Sequence, residues 1–377
     1  MGQGLNGSQP YDFLIVGSGL FGSVFGRVVA DQGYSCLIIE KRGHIGGNCY
    51  SEKTEGIDVH IYGPHIFHTN NEKVWGWVNR FSDFNQFVFS PVANNSGEVY
   101  SLPFNMWTFN KMWGVTTEDE AKRKINEQSF NGAPSNLEEQ ALSMIGKDLY
   151  DKLVKGYTKK QWGVDPKELP KSIIKRLPLR FEWDNNYFND KYQGIPSDGY
   201  TKMFERILDH ERITVQLNSD YFEEKHRYDA LAKTIVYTGP IDRYFNYCYG
   251  DLNYRSLRWD TQVVESDNYQ GCAVMNFTDE KTPYTRSIEH KWFNPKGQKR
   301  TVVSKEFPKK YTRGEEPFYP CYDEESSDRY KKYKSLADKE ENVIFGGRLA
   351  EYKYYDMHQV IASAIKKAEV FLQNEFN

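Results

Sequence analysis

The run Phe13-Leu14-Ile15-Val16-Gly17-Ser18-Gly19-Leu20-Phe21-Gly22, followed by Leu37-Ile38-Ile39-Glu40, constrains this chain most. It reads as an apolar strand, a glycine-rich turn, a helix, a second strand and an acid, the order that a dinucleotide site requires. Gly17 allows the tight turn, Gly19 lets backbone approach a pyrophosphate, and Gly22 lets helix pack on strand. The helix N-terminus offers free N–H groups and a partial positive charge to phosphates. Glu40 lies about 20 residues beyond the glycines, where a carboxylate accepts from a ribose hydroxyl. Phe21, Val24, Phe25 and Val28 share one helical face, which strengthens a motif that is weak alone.

Glu40 runs into Lys41-Arg42-Gly43-His44-Ile45-Gly46-Gly47-Asn48. A second glycine pair so soon after the acid resembles the start of glutathione-reductase-like flavoproteins, whose chain turns back over the adenosine and diphosphate. Further blocks are Tyr62-Gly63-Pro64-His65-Ile66-Phe67-His68-Thr69, Lys155-Gly156-Tyr157-Thr158 with Lys160-Gln161-Trp162-Gly163, Lys175-Arg176-Leu177-Pro178, and Asp184-Asn185-Asn186-Tyr187-Phe188. The C-terminal half adds Tyr237-Thr238-Gly239-Pro240, Pro283-Tyr284-Thr285-Arg286 with Glu289-His290-Lys291, and Gly346-Gly347-Arg348-Leu349 with Tyr354-Tyr355-Asp356-Met357. In this order, and spanning nearly the whole chain, they resemble the bacterial UDP-galactopyranose mutase family.

A length of 377 residues leaves room for two to three domains and a substantial core. A formal net charge of -3 creates no field that recruits nucleic acid. No run of about 20 apolar residues is present to span a membrane, and no leader pattern opens the chain. The expectation is a cytoplasmic protein that binds no nucleic acid and has no membrane span. Residues 1–10 read as a polar extension outside the fold. Cys36, Cys49, Cys248, Cys272 and Cys321 show neither metal spacing nor a disulfide framework. Aromatic content is 15%, a supply of faces suited to sugars and bases as well as to cores.

The expected fold class is α/β: a discontinuous Rossmann-like FAD-binding domain, an inserted helical domain and an antiparallel sheet domain. Residues 212–217, 234–238 and 342–345 read as short buried strands that complete the nucleotide sheet. The FAD-binding domain is assigned to 11–77, 197–247 and 335–377. The helical domain, with a mobile substrate loop, takes 103–183. The sheet domain takes 84–102, 184–196 and 248–334. Thr117-Glu118-Asp119-Glu120 resembles a capping box, and Ile361, Ala364, Ile365, Ala368 and Leu372 share a helical face.

Two arginines far apart in sequence, Arg176 and Arg286, could grip a diphosphate from opposite walls with planar forks and no metal. The resemblance implies that role, Arg176 entering on a mobile loop and Arg286 from rigid sheet. It also implies that Tyr157 stacks on uracil, Trp162 covers the substrate, and Asn276 contacts the base. Tyr187, Tyr319 and Tyr354 would bond phosphate or sugar. For FAD it implies contacts from Gly17, Ser18, Gly19, Leu20, Phe21, Glu40, Lys41, Gly47 and Asn48. To these it adds His65, Ile66, Gly239, Arg348, Tyr355, Asp356 and Met357. His68 would lie at the reactive edge of the isoalloxazine as a catalytic group, with His65 towards the sugar. Taken alone, two histidines flanking Ile66-Phe67 suggest a metal pair, but no third ligand stands at metal-like spacing, so no metal is expected. Two positions depart from the family pattern: Phe89 replaces an Asn, and Leu153 replaces an aromatic near the uracil.

The activity implied is reversible ring contraction of UDP-galactopyranose to UDP-galactofuranose, which supplies galactofuranose for cell-surface polysaccharide. The reaction has no net redox yet needs reduced FAD, whose N5 attacks sugar C1 to give a flavin–sugar adduct. An external reductant such as NAD(P)H and a homodimer are implied partners, and activity on the N-acetylated hexose is left open. The alternatives are a flavin oxidoreductase of the amine-oxidase or desaturase type, and a non-catalytic nucleotide-sugar sensor.

Overall fold

The computed structural model describes residues 10–321 and 323–375, without the side chains of Lys175, Arg176, Glu324 and Glu375. Arg176 therefore enters only through its backbone, at the end of a 3₁₀ segment, Lys171–Arg176.

Five parallel strands form the first sheet. Their order is Val343–Phe345, Ala232–Tyr237, Tyr11–Val16, Cys36–Ile39 and Ile213–Gln216. The first strand of the chain is central, so the topology reverses beside it. Ligands bind in such sheets at that reversal, outside the carboxyl ends of the strands. Leu20–Ala30 forms the helix that follows the glycines. Val24 and Phe25 are fully buried, and each such side chain contributes about 1.5–3 kcal/mol of hydrophobic stabilisation. Gly22 permits this packing, because a Cβ there would lie 2.0 Å from the Gly17 carbonyl oxygen. The C-terminal helix, Met357–Glu375, buries Ile361, Ala364, Ile365 and Ala368 against the same core; Leu372 is only half-buried.

The second sheet has seven strands. In order they are Tyr319–Pro320, Tyr254–Val264, Thr301–Lys310, Arg286–Glu289, Val274–Phe277, Val92–Asn95 and Glu98–Ser101. The sequence reading makes this sheet wholly antiparallel. One pairing departs from that: Val274–Phe277 and Val92–Asn95 run parallel. A second departure concerns 184–196, assigned from sequence to this sheet. Its strand, Tyr192–Gly194, pairs instead with Phe67–Thr69, which draws the His65–His68 loop and the Tyr187 segment together.

A separate core joins the helices between residues 106 and 162. Thr117 caps Glu118–Asn126 with the reciprocal Glu120 contact that its spacing predicts. Leu137–Leu149 continues through a widened turn, Tyr150–Lys155, into the short helix Gly156–Trp162. Among the described residues no helix is long and apolar enough to cross a membrane.

Candidate active site

A long cavity opens at the carboxyl ends of the parallel strands. Of the residues expected to hold FAD, Gly17, Gly19, Leu20, Phe21, Glu40, Lys41, Gly47, Asn48, His65, Gly239, Arg348, Tyr355 and Met357 line it. Gly47 crosses Gly19 so closely that a Cβ on it would lie 2.9 Å from the Gly19 Cα. Backbone therefore replaces side chain where a pyrophosphate would pass. Ser18 is buried behind the wall rather than on it. Its N–H and Oγ–H donate to Glu40 Oε2 at 3.0 and 2.9 Å, and the Arg42 N–H donates to Oε1 at 3.0 Å. These bonds fix the carboxylate and leave it acceptor capacity for ribose hydroxyls. The glycine crossing, the fixed acid and the cavity's position fit a dinucleotide cofactor.

Beside Glu40, Arg42 lies over the Tyr62 ring at 4.4 Å and donates to Glu316 at 2.7 Å. Lys41 pairs with the same carboxylate at 2.5 Å. Burial pushes the Glu316 carboxyl up, but the two cations outweigh it and hold it below its usual range. Sequence reasoning missed this wall, Glu316 to Phe318. It also missed Ser219 to Phe222 and Arg243, whose guanidinium lies 4.4 Å over Phe222. A signal for the second group was present: Ser219 to Phe222 follow the strand Ile213–Gln216, and residues just after parallel strands line such crevices. Thr238 and Gly347 follow their strands in the same way.

Arg286 centres a cluster of tyrosines outside the long cavity. It lies opposite Asn276 in the hairpin register, and its Nε donates to Glu306 Oε1 at 3.0 Å, with a further contact from Nη2 to Oε2. Glu306 is wholly buried and also accepts from Thr285 Oγ1 at 2.8 Å. Burial opposes charge on Arg286, but Glu306 more than compensates and raises its pKa. Tyr157 and Tyr187 are desolvated, which raises both phenols, and the Arg286 charge acts on each in the opposite sense. Tyr319 meets Tyr354 edge-on at 5.4 Å and Trp162 at 6.4 Å. The fold thus gathers Tyr157, Trp162, Tyr187, Tyr319 and Tyr354 around Arg286. Asn276 Oδ1 is buried with no hydrogen-bond partner.

His65 and Arg348 link the long cavity to the tyrosine cluster. Arg348 lies 5.0 Å over the Tyr354 ring while lining the long cavity. Burial, with Arg348 and Arg286 nearby, pushes His65 down to about 4, so it is neutral near pH 7. Its Nδ1 sits 2.7 Å from the Gly63 carbonyl. A neutral ring must donate there, which leaves Nε2 as an acceptor.

His65 lines the long cavity, and His68, expected at the flavin edge, is not on that wall. His68 stacks on Phe188 at 3.7 Å, and its Nδ1 pairs with Asp190 Oδ2 at 2.7 Å. It also joins Asp356 and His358 in a group whose ligand-type atoms lie within 4.8 Å of one another. Asp356 is therefore beside His68 rather than on the cavity wall. His65 is not part of that group. Ile66 is core. Phe89 meets Tyr187 at 5.4 Å and Phe188 at 5.6 Å. Leu153 is buried in the helical core.

Comparison with known proteins agrees with this arrangement. A family model described as UDP-galactopyranose mutase matches residues 152–354, and one described as NAD(P)-binding Rossmann-like domain matches 15–81. A probable UDP-galactopyranose mutase of Klebsiella pneumoniae is 44% identical over 97% of this chain and 96% of its own length. A dTDP-fucopyranose mutase of Escherichia coli is 42% identical over 96% and 98%. Among solved structures, a reduced UDP-galactopyranose mutase superposes with a TM-score of 0.70 at 13% identity, over 96% of this chain and 94% of that one.

Proposed function

Because the chain belongs to the UDP-galactopyranose mutase family, we propose that it interconverts UDP-galactopyranose and UDP-galactofuranose with reduced FAD in the long cavity. The observation that carries this reading is a cluster of tyrosines around the Glu306-fixed Arg286, linked through His65 and Arg348 to the cavity at the ends of the parallel strands.

Reduced FAD, when bound, supplies an electron-rich N5 as nucleophile towards the anomeric carbon. The protein's part is holding, orienting and excluding water. Glu40 accepts from the adenosine ribose, and the Gly19–Gly47 crossing passes the cofactor pyrophosphate. Arg286, fixed by Glu306, holds the substrate diphosphate and stabilises the charge that develops as the glycosyl bond breaks. Arg176 takes the other phosphoryl group. Tyr157 stacks on the base, and Asn276 Oδ1 accepts from its N–H. Tyr187, Tyr319 and Tyr354 bond phosphate and sugar at their edges, which leaves the hexose free to turn. Trp162 and its loop keep water from the open sugar. No side-chain nucleophile is required.

A second substrate reading follows from Phe89 and Phe188, an aromatic corner beside Tyr187. Such a corner suits a methyl group better than a hydroxymethyl, and the E. coli relative is named for a fucopyranose. A 6-deoxyhexose on a thymidine nucleotide is therefore the second candidate. One experiment tests both. The dithionite-reduced protein is incubated separately with UDP-galactopyranose, UDP-N-acetylgalactosamine and dTDP-fucopyranose, and the products are separated by chromatography. A furanose from the first supports the main reading; a furanose from dTDP-fucopyranose alone moves it to the second; none from any sinks the mutase reading. NAD(P)H as the reductant, and a homodimer, are proposed with it.

A further inference from the structure

The ammonium of Lys160 is fully engaged. Nζ donates to the carbonyl oxygens of Phe277 at 2.8 Å, Thr282 at 3.0 Å and Tyr284 at 3.1 Å. Three donors meet three acceptors, all from the turn that joins Val274–Phe277 to Arg286–Glu289. That turn is itself tightly built. Asp279 Oδ1 accepts from the N–H groups of Lys281 and Thr282, and the Thr278 N–H donates to the Asn94 carbonyl at 2.9 Å. The helix lies close on it: a Cβ on Gly156 would come within 2.3 Å of the Thr278 carbonyl oxygen. Burial pulls the ammonium down to about 8 despite the nearby carboxylates of Asp279 and Glu280. Drawing this cation from water is unfavourable, and the three carbonyls are what it receives in return.

Position gives the contact its meaning. Tyr157 lies one helical turn before Lys160, and Trp162 two residues after it. Phe277 directly follows Asn276, and Tyr284 is two residues before Arg286. The clasp therefore joins the segment bearing the ring that stacks and the ring that covers to the hairpin bearing the base acceptor and the diphosphate fork. We propose that Lys160 is a positioning residue, which holds the helix Gly156–Trp162 in register with the Asn276–Arg286 hairpin so that a nucleoside diphosphate meets one preformed surface. This rests on the nucleotide-sugar reading above.

The test uses the FAD-loaded enzyme, with UDP as the probe, measured by calorimetry. Wild-type protein that fails to bind UDP would defeat the nucleotide reading itself. Given wild-type binding, Lys160→Met is expected to keep its flavin and lose at least ~10-fold in UDP affinity. Its KM for the sugar nucleotide should rise in step, with kcat at saturation changing less than ~3-fold. Lys160→Arg, which restores the donors, should recover most of the affinity. A folded Lys160→Met with wild-type UDP affinity overturns the proposal, as does a fall in kcat at unchanged KM. Amide exchange on the wild type gives a second readout should Lys160→Met not fold. UDP is expected to protect residues 278–285 together with the 156–162 helix; protection of the helix alone overturns the proposal.

Discussion

Arg286 and Glu306 form a half-buried fork on a wholly buried carboxylate, with Nε 3.0 Å from Oε1. Glu306 neutralises part of the arginine's desolvation and fixes the plane of its guanidinium, so the free edge is presented in one orientation. Arg286→Ala is expected to lower turnover at least ~100-fold, the scale of one lost transition-state contact. Glu306→Gln keeps an acceptor but removes the charge, and should fall between wild type and Arg286→Ala. Steady-state kinetics on the reduced enzyme checks both. Wild-type rates in Arg286→Ala would remove the clamp from the account.

Gly22→Ala tests the cofactor fold. The added methyl carbon would sit 2.0 Å from the Gly17 carbonyl oxygen and 3.0 Å from Ile15 Cγ2. Backbone and a fully buried side chain cannot yield cheaply, so the variant should purify with little or no flavin and a lower Tm. Full yellow colour at wild-type Tm would contradict this.

Much of this was legible in sequence, for identifiable reasons. The glycine fingerprint constrains backbone directly, so Gly17 to Gly22 and Glu40 fall where their spacing places them. The three remote strands were readable as short β-branched runs ended by turn residues. Only Ala232–Tyr237 is largely buried; the two edge strands, Ile213–Gln216 and Val343–Phe345, are half-buried or exposed. Partnerships across the fold were not readable. Glu306 looks like any acid on an alternating strand until it is seen under Arg286. Likewise, nothing local separates His65 from His68; the pairing of Phe67–Thr69 with Tyr192–Gly194 turns His68 towards Asp190 and leaves His65 on the cavity wall. Leu153 reads as a position near the uracil by resemblance but is core, because the widened turn 150–155 directs it inward.

Trp162→Ala should weaken UDP-sugar binding about 10-fold while FAD stays bound. Trp162 borders Tyr319 in the tyrosine cluster and is not among the residues lining the long cavity. Calorimetry with UDP and the flavin absorbance ratio separate the two outcomes. Loss of flavin would make the residue structural.

Acid should destabilise the fold through buried histidines. Burial pushes His290 down to about 3, and His60 well below its ordinary value. His290 is neutral in the folded protein at pH 5, and burial biases His60 in the same direction, whereas the unfolded chain takes up protons below about 6.5. The unfolded state then binds more protons, so stability falls with pH from about 6.5 and, for His290, continues to fall until about 3. Tm should drop from pH 7 to pH 5, and less steeply in His290→Gln. An equal slope in that variant would assign the acid sensitivity elsewhere.

The most direct measurement follows one flavin-loaded sample through a redox cycle with UDP-galactopyranose present. The account predicts furanose product only after dithionite reduction, no net consumption of reductant per turnover, and loss of activity on reoxidation in air. Equal turnover by the oxidised protein, or a stoichiometric oxidation of reduced flavin by the sugar nucleotide, would contradict it.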